Sequence, residues 1–511
     1  MNISKQNRTP ASQRCATGTL LLIIALLACG ADQAPAADAV QTAQNYLAKI
    51  LVDKKKAYVA INAFHAADDQ ELTPLFVALS RSGDKRKRLL AATALGQLAN
   101  KDAIAALKYQ LCDDSVMAVR ASAIVRLLDL KAADAELLAL AVKIKDENIQ
   151  CIAARSLAKI SKNSNHTIQA RSTLQKLTGS TDALTAALAS LGLLSMGDST
   201  QLDKLKKLVA DPKTNPAIVR LLMLQIIDEK ISVAKPLTQI VIASPKQAIQ
   251  TRVMACKALT ASGENTEAEI FASLRASDSM IYRIPVLGIL AGLKNSTPYV
   301  GAIAKSSLAI APLAGLEIAR KTPGPTASTA VEKALSLRHP IALSYTLQTA
   351  GDDMEKLGAK ADFYVKPLLK FIDSVEPDTD RMTHTHLMVA KATTLLMDFG
   401  TPQAISGVRE ILNRRYSATT RSAAAGLLRT KNKAVCPIAT KLLQNPYPEL
   451  QTYGALTLGH FADPAASKYF TRVISNESGQ TVTETTLAAW YILKINKQGA
   501  LSAKKLAELV K

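Results

Sequence analysis

One recurrent pattern of small and apolar residues constrains this chain more than any other feature. Arg88 is followed by Ala91, Ala94, Leu95 and Gly96. Arg120 is followed by Ala123 and Leu127, Arg252 by Ala255, Ala258 and Leu259, and Arg421 by Ala424, Leu427 and Leu428. Arg220 with Met223, Ile226 and Ile227 is a bulkier version. Gln451 with Gly454, Thr457, Leu458 and Gly459 replaces the arginine, and Leu184 with Ala187, Ser190, Leu191 and Gly192 lacks it. The anchors fall roughly 30 to 36 residues apart, or near multiples of that, which is the period of a helix-hairpin repeat. Within each unit the apolar residues follow i, i+3, i+4, i+7, a helical period and not a strand period.

One unit shows the plan. Residues 102–111 predict a first helix with Ile104, Leu107 and Leu111 on one face. Asp113, Asp114 and Ser115 form a turn able to cap the next helix, which residues 116–130 predict. An amphipathic hairpin cannot bury its face alone, so neighbours must stack into one continuous core. Aromatic residues make up only 4% of the chain, with one Trp, against 48% hydrophobic residues in all. Such a core is built from Leu, Ile, Val and Ala, which favour helices and let them approach closely.

These residues resemble the HEAT-repeat family, including the bacterial variants called PBS-lyase HEAT-like repeats. The resemblance is carried by Asp84 with Arg88, Ala91, Ala94, Leu95 and Gly96, and by Asp113 or Asp114 with Arg120 and Ala123. It implies an all-α fold, an α-solenoid (an α/α superhelix) of about a dozen HEAT-like helical hairpins over most of the chain. It also implies a ladder of turn aspartates and second-helix arginines between adjacent repeats. Asp84 with Arg88 and Asp113 or Asp114 with Arg120 fit that ladder, and Asp211 with Arg220 fits it loosely. Arg252 and Arg421 have no aspartate in the matching turn. Some related HEAT-like proteins attach chromophores, so a bilin-lyase-like enzyme or enzyme partner is an alternative, resting on analogy of fold alone.

The regularity breaks at Lys321, Pro323, Gly324 and Pro325, and again at Glu376, Pro377 and Asp378 after an added amphipathic stretch over residues 363–372. The expected organisation is one solenoid over residues 43–320 continued over 321–511, with a domain boundary near Pro323 as the alternative. Residues 501–510 carry Lys504, Lys505 and Glu508 outward and suit a terminal capping helix.

The N-terminus points to export. Lys5, Arg8 and Arg14 precede the apolar run Leu20 to Ala28, the layout of a secretory signal peptide over residues 1–28. A transmembrane helix needs about 20 apolar residues, more than this run supplies. Ala34, Pro35 and Ala36 fit ordinary cleavage. Leu26, Leu27, Ala28 and Cys29 resemble a bacterial lipobox, with Leu27 where a smaller residue is usual; that resemblance implies lipidation of Cys29 and is the favoured reading. Gly30 after the cysteine then implies the outer membrane if the cell is Gram-negative. Residues 29–42 read as a tether, with the folded body starting near Ala43, in the cell envelope or periplasm.

The formal net charge of +21 attracts anionic partners. Export argues against nucleic acid, and the scarcity of aromatics gives single-stranded bases little to stack on; a nucleic-acid-binding solenoid that holds a duplex through its phosphates is the further alternative. Cys112, Cys151, Cys256 and Cys436 form no CxxC pair and read as buried small hydrophobes. No phosphate loop, HExxH, zinc ribbon or nucleophile elbow occurs. Asp378, Asp380, His384 and His386 make the best local cluster, but residues two apart on a helix point to nearly opposite sides. No cofactor or metal site is therefore predicted, and no catalytic residue. The expected function is a non-enzymatic extracytoplasmic scaffold, tethered to the membrane by its lipid anchor. Its partner is a protein or an anionic envelope polymer on the concave face. Arg120, Arg220, Arg252 and Arg421 are the candidate contact residues where no aspartate holds them.

Overall fold

The computed structural model describes residues 36–53, 55–161, 163–263, 265–375, 383–414, 416–476 and 481–510. The stretch expected to be a signal peptide, Cys29 and the break at residues 376–378 lie outside them. Every regular element among the described residues is a helix, and successive hairpins stack side by side, so the chain is an all-α solenoid. No helix among them is long and apolar enough to cross a membrane.

Local chemistry sets the helix ends. Asp84, Asn100, Asp134, Asp146 and Asp182 each accept a backbone N–H of the first turn they precede. The unit expected over residues 102–130 forms the helices Lys101–Asp113 and Met117–Asp129. The first helix, Ala36–Val52, begins inside the stretch expected to be tether. Its alanines favour helix, and Ala39 and Ala43 are already buried in the core.

The small residues of the repeat let second helices lie close together. A Cβ on Gly96 would run into the Arg126 side chain, and one on Gly426 would run into the Ala390 carbonyl oxygen. Thr394 donates its hydroxyl to the Gly426 carbonyl oxygen across the same contact (2.8 Å). Gly426→Ala is therefore expected to destabilise by about 1–3 kcal/mol through overpacking. Alanine in place of glycine inside a helix would otherwise stabilise by about 0.5–1 kcal/mol. A denaturant titration reads the sign directly, and a stabilised variant would show that the helices are not in contact there.

The ladder runs between adjacent repeats, as expected, but with other partners than Asp84 with Arg88. Arg88 pairs with Asp114 of the next repeat, through Nε to Oδ2 at 2.7 Å and Nη2 to Oδ1 at 3.1 Å. Asp84 accepts instead from the Tyr58 hydroxyl and the Arg86 N–H. Asp211 caps the Lys213 N–H and leaves Arg220 alone. A guanidinium fork reaches farther than its own turn, so the rung crosses to the neighbour. Farther along, Arg320 lies between Asp353 (2.9 Å) and Glu317 (3.4 Å), whose carboxylates also accept from the Tyr364 and Tyr345 hydroxyls.

The main departure is at the ends. Helix Gly499–Leu509 does not stand as a cap over a free end. Its apolar face, with Ala503 and Leu506 buried, packs on Ala36–Val52 and Thr73–Leu79. Helix Val482–Ile495 packs on Ala36–Val52 and Ala57–Ala67. Trp490 is fully buried there, edge-on to Phe64 (centroids 5.9 Å, 83°), and its Nε1 donates to Asp69 Oδ2 at 3.1 Å. Lys494 pairs with the same carboxylate at 2.8 Å, and Gln44 donates to the Ser502 hydroxyl at 3.2 Å. The last hairpin thus packs on the first, and the solenoid closes into a circuit. An apolar stripe on a terminal helix is equally suited to capping and to closure, so the pattern alone does not separate them.

Candidate functional site

Three of the four candidate arginines are tied to the scaffold, Arg421 buried and Arg120 and Arg252 half-buried. Arg120 donates through Nε to the Asp114 carbonyl oxygen (2.5 Å). Arg252 donates to the Ile242 carbonyl oxygen (3.0 Å) and lies over the Tyr282 ring at 4.8 Å. Arg421 is buried, 3.7 Å from Glu449. Arg220 is exposed and has no side-chain partner among the described residues. The structure does not gather the four into one patch, because each answers to its own repeat. His384 is exposed, whereas His386 is buried and its Nδ1 accepts the Thr383 N–H (3.1 Å) to close the helix N-terminus. Asp378 and Asp380 lie outside the described residues. No three His, Cys, Asp or Glu side chains among the described residues converge as a metal would need. Cys151, Cys256 and Cys436 are buried, but Cys112 is exposed, because it lies near the end of its helix on the solvent side.

What the structure does gather is aromatic. Eight of the 21 Phe, Tyr and Trp residues of the chain fall between residues 416 and 491. Tyr453, Tyr469 and Phe470 among them line a cavity of about 260 Å³ between helices Pro448–His460, Ser467–Ser475 and Val482–Ile495. The wall is mostly apolar, with Leu428, Leu456, Phe470, Val473, Leu487 and Ala488. Helix period explains the placement: Thr452, Tyr453 and Leu456 share one face, as do Thr483, Glu484, Leu487 and Ala488.

Hydroxyls and two carboxylates complete the wall. The Tyr469 hydroxyl lies 2.7 Å from Thr452 Oγ1, which itself donates to the Pro448 carbonyl oxygen (3.0 Å). The Tyr416 hydroxyl donates to Glu449 Oε2 at 2.6 Å, and the Tyr453 hydroxyl reaches Oε1 at 3.5 Å. Burial, then the Glu449 carboxylate, pushes the Tyr416 phenol up to about 12, so it stays a donor at neutral pH. Burial likewise raises Tyr453 and Tyr469. Glu484 accepts the Thr481 N–H through Oε2 (2.9 Å), and its other oxygen has no partner among the described residues. Tyr416 stacks on the exposed Tyr447 ring at 4.3 Å beside this network. The sequence signal for this site is the clustering of scarce aromatics near the C-terminus; a search for catalytic spacing passes over it.

No protein-family model matches the chain, and no curated protein matches it. Among solved structures, the chain is similar to the karyopherin Kap121p bound to the SUMO protease Ulp1p, with TM-score 0.34 and 13% identity over 93% of this chain and 55% of that one. Kap121p bound to Ste12p gives TM-score 0.33 and 13% identity, over 93% and 55%. Kap121p bound to RanGTP gives 0.31 and 13%, over 92% and 54%. The chain spans about half the length of these proteins. At such scores the superposition is loose, and no function is carried over from it. The fold class stands on the helices themselves.

Proposed function

We propose that the protein is a non-enzymatic scaffold of the cell envelope, exported and held at a membrane through Cys29, that binds a protein partner. The observation that carries the reading is the aromatic cavity opening between the last hairpins. It is a recess with an apolar wall and few polar groups, on a scaffold whose buried arginines serve to join helices. Recesses of that composition favour binding, since apolar area gives affinity and a few fixed polar groups give orientation. The net charge of +21, which becomes +18 once residues 1–28 with Lys5, Arg8 and Arg14 are removed, steers acidic partners toward the surface over a Debye length of about 8–10 Å.

The test places a photo-crosslinking residue at Thr483, on the cavity wall, and in a second protein at Lys176, on an exposed helix face away from it. Both are made with the native N-terminus in a bacterial host with an envelope. A discrete adduct from Thr483 and none from Lys176 is expected. Intact mass of the membrane fraction is expected to give a chain starting at Cys29 with added acyl mass. Equal labelling from both positions would overturn the binding reading, and an unprocessed chain in the cytoplasm would overturn export and tether together.

A further inference from the structure

The cavity has a charge character opposite to that of the protein. The chain carries 63 Lys and Arg against 42 Asp and Glu, yet the ionisable groups lining the cavity include Glu449 and Glu484 and no lysine or arginine. Two cations touch the wall from outside. Arg421 stands 3.7 Å from Glu449, and the exposed Arg472 lies over the Tyr469 ring at 5.3 Å. Glu449 is thus partly balanced by Arg421 and by two phenol donors. Glu484 has no basic partner among the described residues, and one of its oxygens is unoccupied.

From this we infer that the cavity receives an aliphatic cation, the lysine or arginine side chain of the partner, with its stem against Leu456, Val473 and Leu487 and its charged end at Glu484. The inference rests on the binding function proposed above and adds the chemistry of the contact. Three features agree on that occupant. The cavity is small, about 260 Å³, which suits one side chain better than a drug-sized ligand. Its wall is apolar along the length that a methylene stem would cover. The rings of Tyr453, Tyr469 and Phe470 line it, and an aromatic face attracts a cation. The global charge and the local one act on different scales. The surface attracts an acidic partner from a distance, and the cavity selects one basic side chain at contact.

Calorimetric titration of the mature protein with three probes tests this. The probes are the peptide acetyl-Gly-Gly-Lys-Gly-Gly-amide, the same peptide with norleucine for lysine, and n-hexylammonium. The lysine peptide is expected to bind and the norleucine peptide to bind roughly tenfold or more weakly, the scale of one hydrogen bond to a charged group. Glu484→Gln, which keeps the cap on Thr481, is expected to remove that difference, and Leu487→Trp to abolish binding by filling the cavity. Equal binding of lysine and norleucine peptides would overturn the cationic occupant. Binding of hexylammonium without the peptide would replace the partner side chain by a free amine, and no binding of any probe would overturn the site. A specific adduct from Thr483 together with any of these failures would leave the scaffold standing and only the occupant wrong.

Discussion

Trp490→Ala is expected to cost about 3–5 kcal/mol of stability in a urea titration, the usual range for emptying a buried Trp site. Trp490 is fully buried between the last and first hairpins, and it holds Phe64 by its ring and Asp69 by its N–H. The informative part is where the loss appears. In an open solenoid each repeat contacts only its neighbours, and the end repeats open first. Here the ends are neighbours. Hydrogen exchange in Trp490→Ala is therefore expected to rise over residues 36–67 as well as 482–509, two segments at opposite ends of the sequence. Trp490→Phe keeps most of the packing and loses the bond to Asp69, and it is expected to cost about 1–3 kcal/mol. Faster exchange over 482–509 alone would show that the circuit is open in solution.

That closure marks the limit of what the sequence discloses. The repeat around Arg88 and Arg120 makes the hairpins legible, because a helix interior responds to the spacing of its own residues. The curvature that brings Trp490 to Phe64 is the sum of many small rotations between hairpins, and no local pattern records it. The ladder shows the same divide. Arg88 and Asp114 are both visible as ladder residues, but their pairing across repeats depends on the stacking distance. The cavity was half legible: its aromatics are concentrated in one part of a chain otherwise poor in them. That Glu484 faces the same space as Tyr469 comes only from packing two hairpins together.

Arg155 tests a longer-range tie within the circuit. Its Nη2 donates to Gln225 Oε1 at 2.6 Å and to Glu229 Oε1 at 2.5 Å, from helix Glu147–Ile160 to helix Pro216–Glu229. The intervening helix Ala183–Ser195 is crossed at Gly192, where a Cβ would meet the Arg155 stem. Lys159 strengthens the same tie by donating to the Asp228 carbonyl oxygen at 3.2 Å. Arg155→Met keeps much of the stem and leaves Glu229 as a largely but not fully buried carboxylate without its cation, a change that costs up to about 3–5 kcal/mol. The pH dependence identifies the cause. Burial already holds the Glu229 carboxyl above its ordinary value of 4.5, with Arg155 pulling the other way. A carboxyl raised in the folded state contributes stability that is fully present below its unfolded value and is lost as pH rises through its folded value. Removing Arg155 raises the folded value further, so the deficit of Arg155→Met is expected to grow as pH rises above the ordinary carboxylate value. Arg155→Met with Glu229→Gln is expected to recover part of the loss and to flatten that slope. A deficit independent of pH, unchanged in the double variant, would mean that the arginine acts by filling space over Gly192 and not by balancing Glu229.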